Sequence, residues 1–430
     1  MFYKIICCLW ISSQLIALSI SSIQTLENSE CGMGPWFAAN DKGDALLCWI
    51  ELKKDHTLVA STKSKQNQWL PPQTIGEIGR LYDGKLYCTI NTEGIPYIVW
   101  QASKPQWDPK YGEIFWRCNW LEGATRKAES WSKPVVFTHK EPVILQAIGL
   151  NKEEHLTVFF EKLEKASQCI NLTSWSPDLT LRNSFSEWFP ETHATAMATF
   201  SGLDPFFAFV APDKENEDRA MIYEIVWRDG VPIHEKIGEF QSEAFYHFQA
   251  TLDDQGRKGL IWGSGKHDEL VCVMTKEEGK WSSPYVFRNE EEVLGCSIAF
   301  DNKGNMMAVW SQENAVKFAY KPSGGSWLLP ALISSSVQYR SSPQIAFDRD
   351  QHFVIVWNEG EGRSQIYGTT FSTDTQKAEK PVLLTSYNEW AVAPHIAFSE
   401  KGKGMIVWAT IEGEIPNVRA TICTADLSVK

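Results

Sequence analysis

Six short segments of this 430-residue chain each bring a polar group or an aromatic ring to a point between two apolar runs. They are Asn28 to Cys31, Phe185 to Trp188, Gln241 to Tyr246, Asn289 to Glu292, Val337 to Arg340 and Tyr387 to Trp390. A carboxylate recurs in five of the six, as Glu30, Glu187, Glu243, Glu291 and Glu389, and the remaining segment carries Tyr339 and Arg340. The form aromatic-x-Glu-Trp occurs twice, ending in Glu187-Trp188 and Glu389-Trp390. Trp and Tyr supply large contact area at low entropic cost, while carboxylates accept from hydroxyl or ammonium donors. Such a set suits stacking on a sugar ring or docking a basic peptide. The candidate ligand-binding residues are therefore Glu187, Trp188, Glu243, Tyr246, Tyr339, Arg340, Glu389 and Trp390. The competing structural reading is that each Glu caps its turn and each Trp packs on a neighbouring repeat. Repetition explains the recurrence, but not why Trp188 and Trp390 skip the copies between them.

Catalytic chemistry is less well supported. The nine His are scattered without a His-Glu-x-x-His pattern, and Gly263-Ser264-Gly265 lacks the flanks of a nucleophile elbow. Carboxylates across one face could serve glycoside hydrolysis only at a separation of about 5 to 9.5 Å, which a sequence does not contain. No Cys-x-x-Cys pair suggests a zinc cage. The expectation is a binding protein rather than an enzyme, with no cofactor and no metal.

The elements that must position these segments repeat. Aligning on an apolar run that ends in an aromatic gives Ala45 to Trp49, Pro96 to Trp100, Leu156 to Phe160, Phe206 to Val210, Gly259 to Trp262, Met307 to Trp310, Val354 to Trp357 and Met405 to Trp408. The eight copies recur about every 51 residues, within the range of propellers and solenoids. A first run and a polar turn precede each, most clearly at Asp41 to Gly43, Asp301 to Gly304 and Ser399 to Gly402. Asp or Ser opening a turn that Gly completes at positive φ is hairpin chemistry. Both runs are apolar at nearly every position, so both sheet faces are predicted to be buried. A third run follows a variable polar loop, longest at Gln101 to Glu113. A fourth carries Trp-x-x-Pro at Trp69, Trp131, Trp281 and Trp327. Pro cannot donate to a ladder, which puts this strand at an outer edge.

Four antiparallel strands per copy, buried on both faces with a Pro-marked edge, describe an all-β fold. The predicted architecture is a β-propeller of eight four-stranded blades, with seven as the alternative count and a sheet solenoid as the alternative architecture. The last copy ends after its third strand, and Ile23 to Glu30 parallels Val382 to Glu389. The N-terminal strand is thus expected to complete the last blade. Gly-His…Trp-Asp, tandem-glycine and Ser-x-Asp-x-Gly-x-x-Trp signatures are missing as repeats. The recurring Ile-Ala-Phe-Asp-x-x-Gly, Val-Trp and Trp-Ser-x-Pro elements resemble repeats of exported bacterial propellers of unassigned role. That resemblance covers nearly the whole chain beyond its start, and it is structural, so it implies no functional residue.

Lys4 followed by an apolar stretch from Ile5 to Leu18, with small residues at Ala17, Ser19 and Ser21, has the pattern of a secretory leader. The expected division is a signal peptide over residues 1–21 and one propeller domain over 22–430; an uncleaved N-terminal anchor is the alternative. No later stretch has the apolar length of a membrane span. The protein is expected to be exported, to the periplasm, the cell surface or the medium, and not to be integral to a membrane after cleavage. The formal net charge of −12 argues against a nucleic-acid partner, which would need a basic face. The partners expected are a protein or peptide, or a glycan. The eight Cys beyond the leader sit at scattered spacings within predicted strands, and are expected as buried free thiols.

Overall fold

A computed structural model describes residues 18–21, 23–29, 31–51, 56–63, 68–78, 85–108, 113–138, 143–164, 167–189, 194–198, 202–213, 216, 219–228, 231–241, 245–264, 269–289, 291–312, 315–335, 343–350, 352–360, 362–412 and 419–429. They form eight antiparallel sheets, and each sheet is one blade of a closed β-propeller. The innermost strands touch in chain order, and Cys31–Ala39 of blade 1 meets Trp390–Phe398 of blade 8. Eight blades, not seven, close the ring.

Second strands such as Ala45–Glu51 and Met306–Gln312 are buried at every position, because a blade stands between two others and has no solvent face. Trp49, Trp100, Trp262, Trp310, Trp357 and Trp408 lie within these strands, fully buried. A buried Trp removes about 200 Å² from water, worth about 5 kcal/mol gross, so these residues dominate the inter-blade core. The Trp of the Trp-x-x-Pro element packs back onto the preceding blade. Trp281 lies 5.6 Å from Phe206, and Trp327 lies 5.5 Å from Phe287. The Pro splits the outer strand in two, as in Lys280–Trp281 and Tyr285–Arg288.

The turn between first and second strands has one hydrogen-bonding scheme. The oxygen of its opening residue accepts from the amides two and four positions on: Asn40 from Lys42 and Asp44, both at 3.0 Å, and Asp301 from Lys303 and Asn305 at 2.9 and 2.7 Å. Gly43, Gly94, Gly256, Gly304 and Gly402 hold the positive φ of the fourth position.

Closure follows the expected route. Gln24–Ser29 runs antiparallel to Arg419–Val429, with Thr25 opposite Cys423 and Ser29 opposite Ala420. The same strand also pairs with Leu18–Ile20, which lies inside the segment expected as leader. Leu18 is buried against Val354, Val356 and Leu384 of blade 7. Ser21 donates its amide to Asp426 O at 2.9 Å and accepts the Asp426 amide at Oγ at 3.0 Å. Ser132 with Thr125 and Ser282 with Thr275 make the same reciprocal pair, so Ser21 occupies the Ser position of the Trp-Ser-x-Pro register in blade 8.

One expected loop is a strand pair. Pro96–Asp108 and Glu113–Lys127 continue the blade 2 hairpin through Trp107 opposite Ile114 and Asp108 opposite Glu113. The polar residues in Gln101 to Asp108 conceal its strand character, since ladder bonds along an extended hairpin need no apolar face. Asn171, which with Thr173 forms an Asn-x-Thr glycosylation sequence, sits on a strand, buried, with Nδ2 donating to Cys169 O at 2.7 Å, so it offers no accessible amide. Among the described residues Cys48, Cys88, Cys169, Cys272, Cys296 and Cys423 are free thiols. Burial pushes Cys272 up to about 12. No helix among the described residues is long and apolar enough to cross a membrane.

Candidate functional site

The ring leaves a central channel with two ends. One is built by the crossings between blades, the other by the turns between first and second strands. The crossing end is where the sequence-derived candidates belong. Glu187 and Trp188 lie on the outer strand Leu181–Phe189 of blade 3, opposite Ile170 and Cys169. Tyr246 is the second residue of the inner strand Phe245–Leu252, opposite Gly263 and next to a bulge. The side chains of these three, and Glu243, Tyr339 and Arg340 entirely, lie outside the described residues.

Glu389 and Trp390 are described, and Glu389 is engaged in structure. Its Oε1 accepts from Thr410 Oγ1 at 2.6 Å and Trp408 Nε1 at 3.4 Å, and its Oε2 accepts the Ser386 amide at 3.3 Å. In this blade the carboxylate thus receives the indole N–H of buried Trp408, a donor that would otherwise be costly to leave unpaired. Trp310 and Trp357 solve the same problem differently, with Asn289 Oδ1 at 3.0 Å and Glu359 Oε2 at 2.8 Å. Trp390 is half-buried at the start of its strand, opposite Ile411. Tyr387, just before it, is 75% exposed.

Deeper at this end, Lys85 Nζ donates to Gln146 Oε1 at 2.9 Å, and the same oxygen accepts from Thr195 Oγ1 at 3.0 Å. The three residues come from the starts of the inner strands of blades 2, 3 and 4. Burial lowers the Lys85 ammonium from its ordinary range, with Glu161 opposing. Gln146 stands at a bulge between Leu145 and Ala147, and bulges re-aim side chains at such rims.

The turn end holds two adjoining cavities of about 240 and 230 Å³, which share Arg349 and Phe398. Their floor is the last apolar residue of successive inner strands, including Ile90, Leu150, Leu252, Phe300 and Phe347. Their wall carries Asp41, Glu154, Asp253, Asp254 and Asp301. Several of these are partly committed. Asp253 pairs with Arg257, Glu154 Oε2 accepts the Thr92 amide at 2.9 Å, and Asp301 Oδ2 accepts from Asn305 at 2.6 Å. Arg349 lines both cavities, and its Nη2 lies 2.7 Å from Asp41 Oδ1. The mouth is an apolar floor with a wall rich in carboxylates.

Sequence reasoning missed this end because its turns read as structural hairpins. One signal was present: position 351 is Gln where five other copies have Gly at the fourth turn position. In that turn the positive φ, +70°, falls on Arg349. Lys85 and Gln146 had no local signal, since only the ring brings their strands side by side. No group of His, Cys, Asp and Glu able to hold a metal ion occurs among the described residues.

The chain matches no protein-family model and no curated protein. Among solved structures it is similar to a protein of unknown function from Dyadobacter fermentans, at 11% identity over 96% of this chain and 99% of that one, with a TM-score of 0.44. It is also similar to the BP39L lectin of Burkholderia pseudomallei, at 10% identity over 86% and 99%, TM-score 0.48. A polysaccharide lyase, an ulvan lyase, is similar at 13% identity over 92% and 94%, TM-score 0.49. Likenesses at this level assign no ligand and no reaction.

Proposed function

We propose that this protein is an exported, non-enzymatic binding protein that offers the mouth of its propeller channel to a basic segment of a peptide or protein. The supporting observation is the pair of cavities at the turn end. Their carboxylates attract an ammonium or guanidinium group, and their apolar floor takes the methylene stem that carries it. Arg349 partly occupies this place from within, holding Asp41 as an incoming cation would. The formal charge of −12 favours encounter with a cationic partner and gives it a salt dependence.

Titration calorimetry with a Lys- and Arg-containing peptide and its Gln-substituted counterpart tests this reading. The expected result is binding of the basic peptide alone, weakened several-fold by Asp254→Asn and by added salt. Equal binding of both peptides, or none, overturns it.

A second reading rests on a different observation, the exposed ring of Tyr387 beside Glu389 and Trp390 at the crossing end. An exposed aromatic next to a carboxylate-bearing loop is what sugar stacking uses. A glycan array with wild type and Tyr387→Ala separates the two, since only the lectin reading expects signals that this substitution removes.

A further inference from the structure

The outer rim of blade 6 differs in exposure from those of the other Trp-x-x-Pro blades, of which blade 1 has Leu70-Pro71 with Leu70 half-buried. Between the Trp and the Pro of the Trp-x-x-Pro element, blade 2 has Ser132-Lys133 and blade 5 has Ser282-Ser283, but blade 6 has Leu328-Leu329. Leu329 is 89% exposed and Leu332, past Pro330, is 56% exposed. Half-buried Trp327 links this segment to blade 5, where its ring lies 6.4 Å from that of Tyr285. Tyr285 and Val286 are themselves exposed. Five of the exposed large apolar side chains among the described residues therefore fall on one rim: Tyr285, Val286, Leu328, Leu329 and Leu332. They leave on the order of 500 Å² of apolar surface in water, at the upper end of what a monomer shows.

We propose that this rim is a self-association surface, and that its partner is a second copy of the same chain related by a two-fold axis. Size supports that occupant. A two-fold uses the same patch twice, so the apolar area of two copies with a polar margin reaches the roughly 1,200–2,000 Å² of a stable interface. Charge supports it as well. The margin carries both signs side by side, with Glu278 and Lys280 in the blade 5 turn and Arg288 just beyond Tyr285 and Val286, all exposed. A two-fold can set Glu278 of one copy against Lys280 of the other. Pro330 heads the outer strand Ala331–Ser334, so the contact is made by side chains rather than by added strand pairing. The net charge opposes association at long range. Salt therefore strengthens this contact, opposite to its effect on the basic-peptide binding proposed above.

Sedimentation velocity and light scattering over a concentration series test the proposal. The expected result is a concentration-dependent dimer that gains with added salt and that Leu329→Asp or Leu332→Asp reduces to monomer. Both positions are exposed, and an unchanged circular dichroism spectrum and melting temperature confirm that the variants fold. Asp254→Asn, at the channel mouth, should leave the dimer unchanged. A monomer at every concentration and salt level overturns the proposal, as does a dimer that both Asp variants retain.

Discussion

Arg349 and Asp41, 308 positions apart in the chain, meet at 2.7 Å across the mouth of the channel. The contact ties the turn of blade 7 to that of blade 1, skipping the blade between. The adjoining turn of blade 8 joins the same network, where the Glu400 amide donates to Asp41 O at 2.8 Å. An arginine held at positive φ is conformationally unfavourable, and such strain persists only where its surroundings enforce it.

Removing this cation should therefore do two separable things. Arg349→Ala should cost about 1 kcal/mol or less of stability, as a partly exposed ion pair does. It should also raise affinity for a basic peptide several-fold, since the cavity carboxylates lose their internal cation. Thermal melts and calorimetry on the same variant read the two effects. Weaker peptide binding would instead make Arg349 part of the recognition surface.

Glu224 is the second test. It is fully buried, and its carboxylate meets Lys258, Lys276 Nζ at 2.8 Å and Trp281 Nε1 at 2.8 Å between blades 4 and 5. Burial pushes its carboxyl up, but the two ammonium groups and the indole outweigh that and hold it below the ordinary range. A depressed carboxylate contributes stability above its unfolded pKa near 4.5 and loses it as pH falls through the folded value. Glu224→Gln should cost about 3 kcal/mol at neutral pH by leaving two lysines without their anion. The deficit should shrink in acid below pH 4.5. Chemical denaturation at several pH values gives both numbers, and a deficit independent of pH would refute the charge account.

His352 behaves in the opposite sense. Its Nδ1 lies 2.8 Å from Asp348 Oδ2, and that contact raises its pKa above 6.5 against a smaller effect of burial. A raised histidine contributes stability that is complete below the unfolded value and fades as pH rises through the folded one. His352→Asn should therefore be most destabilising below pH 6.5 and nearly neutral in mild alkali. Melting curves across that range check it.

The closing strand gives a test by truncation. A chain beginning at Leu18 should be more stable than one beginning at Ser22 by about 2–4 kcal/mol, the burial of Leu18 and the pairing of residues 18–21 being lost together. Gly368 leaves room for Leu18, since an added Cβ would lie 2.7 Å from Leu18 Cδ2 and 2.9 Å from Leu384 Cδ1. Gly368→Ala should cost about 1–3 kcal/mol in the longer chain and less alongside Leu18→Ala. We also expect the N-terminus of exported material to lie at or before Leu18, which N-terminal sequencing reads directly. A start at Ser22 with undiminished stability would show that residues 18–21 are dispensable to the ring.

Much of this was determined by local sequence. Runs such as Ala45 to Trp49 and Met405 to Trp408, apolar at every position, demand burial on both faces. Asp-x-x-Gly turns and Trp-x-x-Pro edges then assign each strand its place in a blade. The missing fourth strand of the last copy likewise pointed to Ile23 to Glu30. These signals act over a few residues, where backbone conformation and hydrophobic period follow from residue type. The division of roles between loops was decided only in three dimensions. Only the fold shows Glu389 accepting from Trp408, 19 residues on, and Leu18 buried in one cluster with side chains of blade 7. Arg349 acquires its meaning only when ring closure brings it to Asp41. A side chain's role depends on which partners satisfy its polar atoms and exclude its water, and in a propeller those partners lie on neighbouring blades tens to hundreds of residues away.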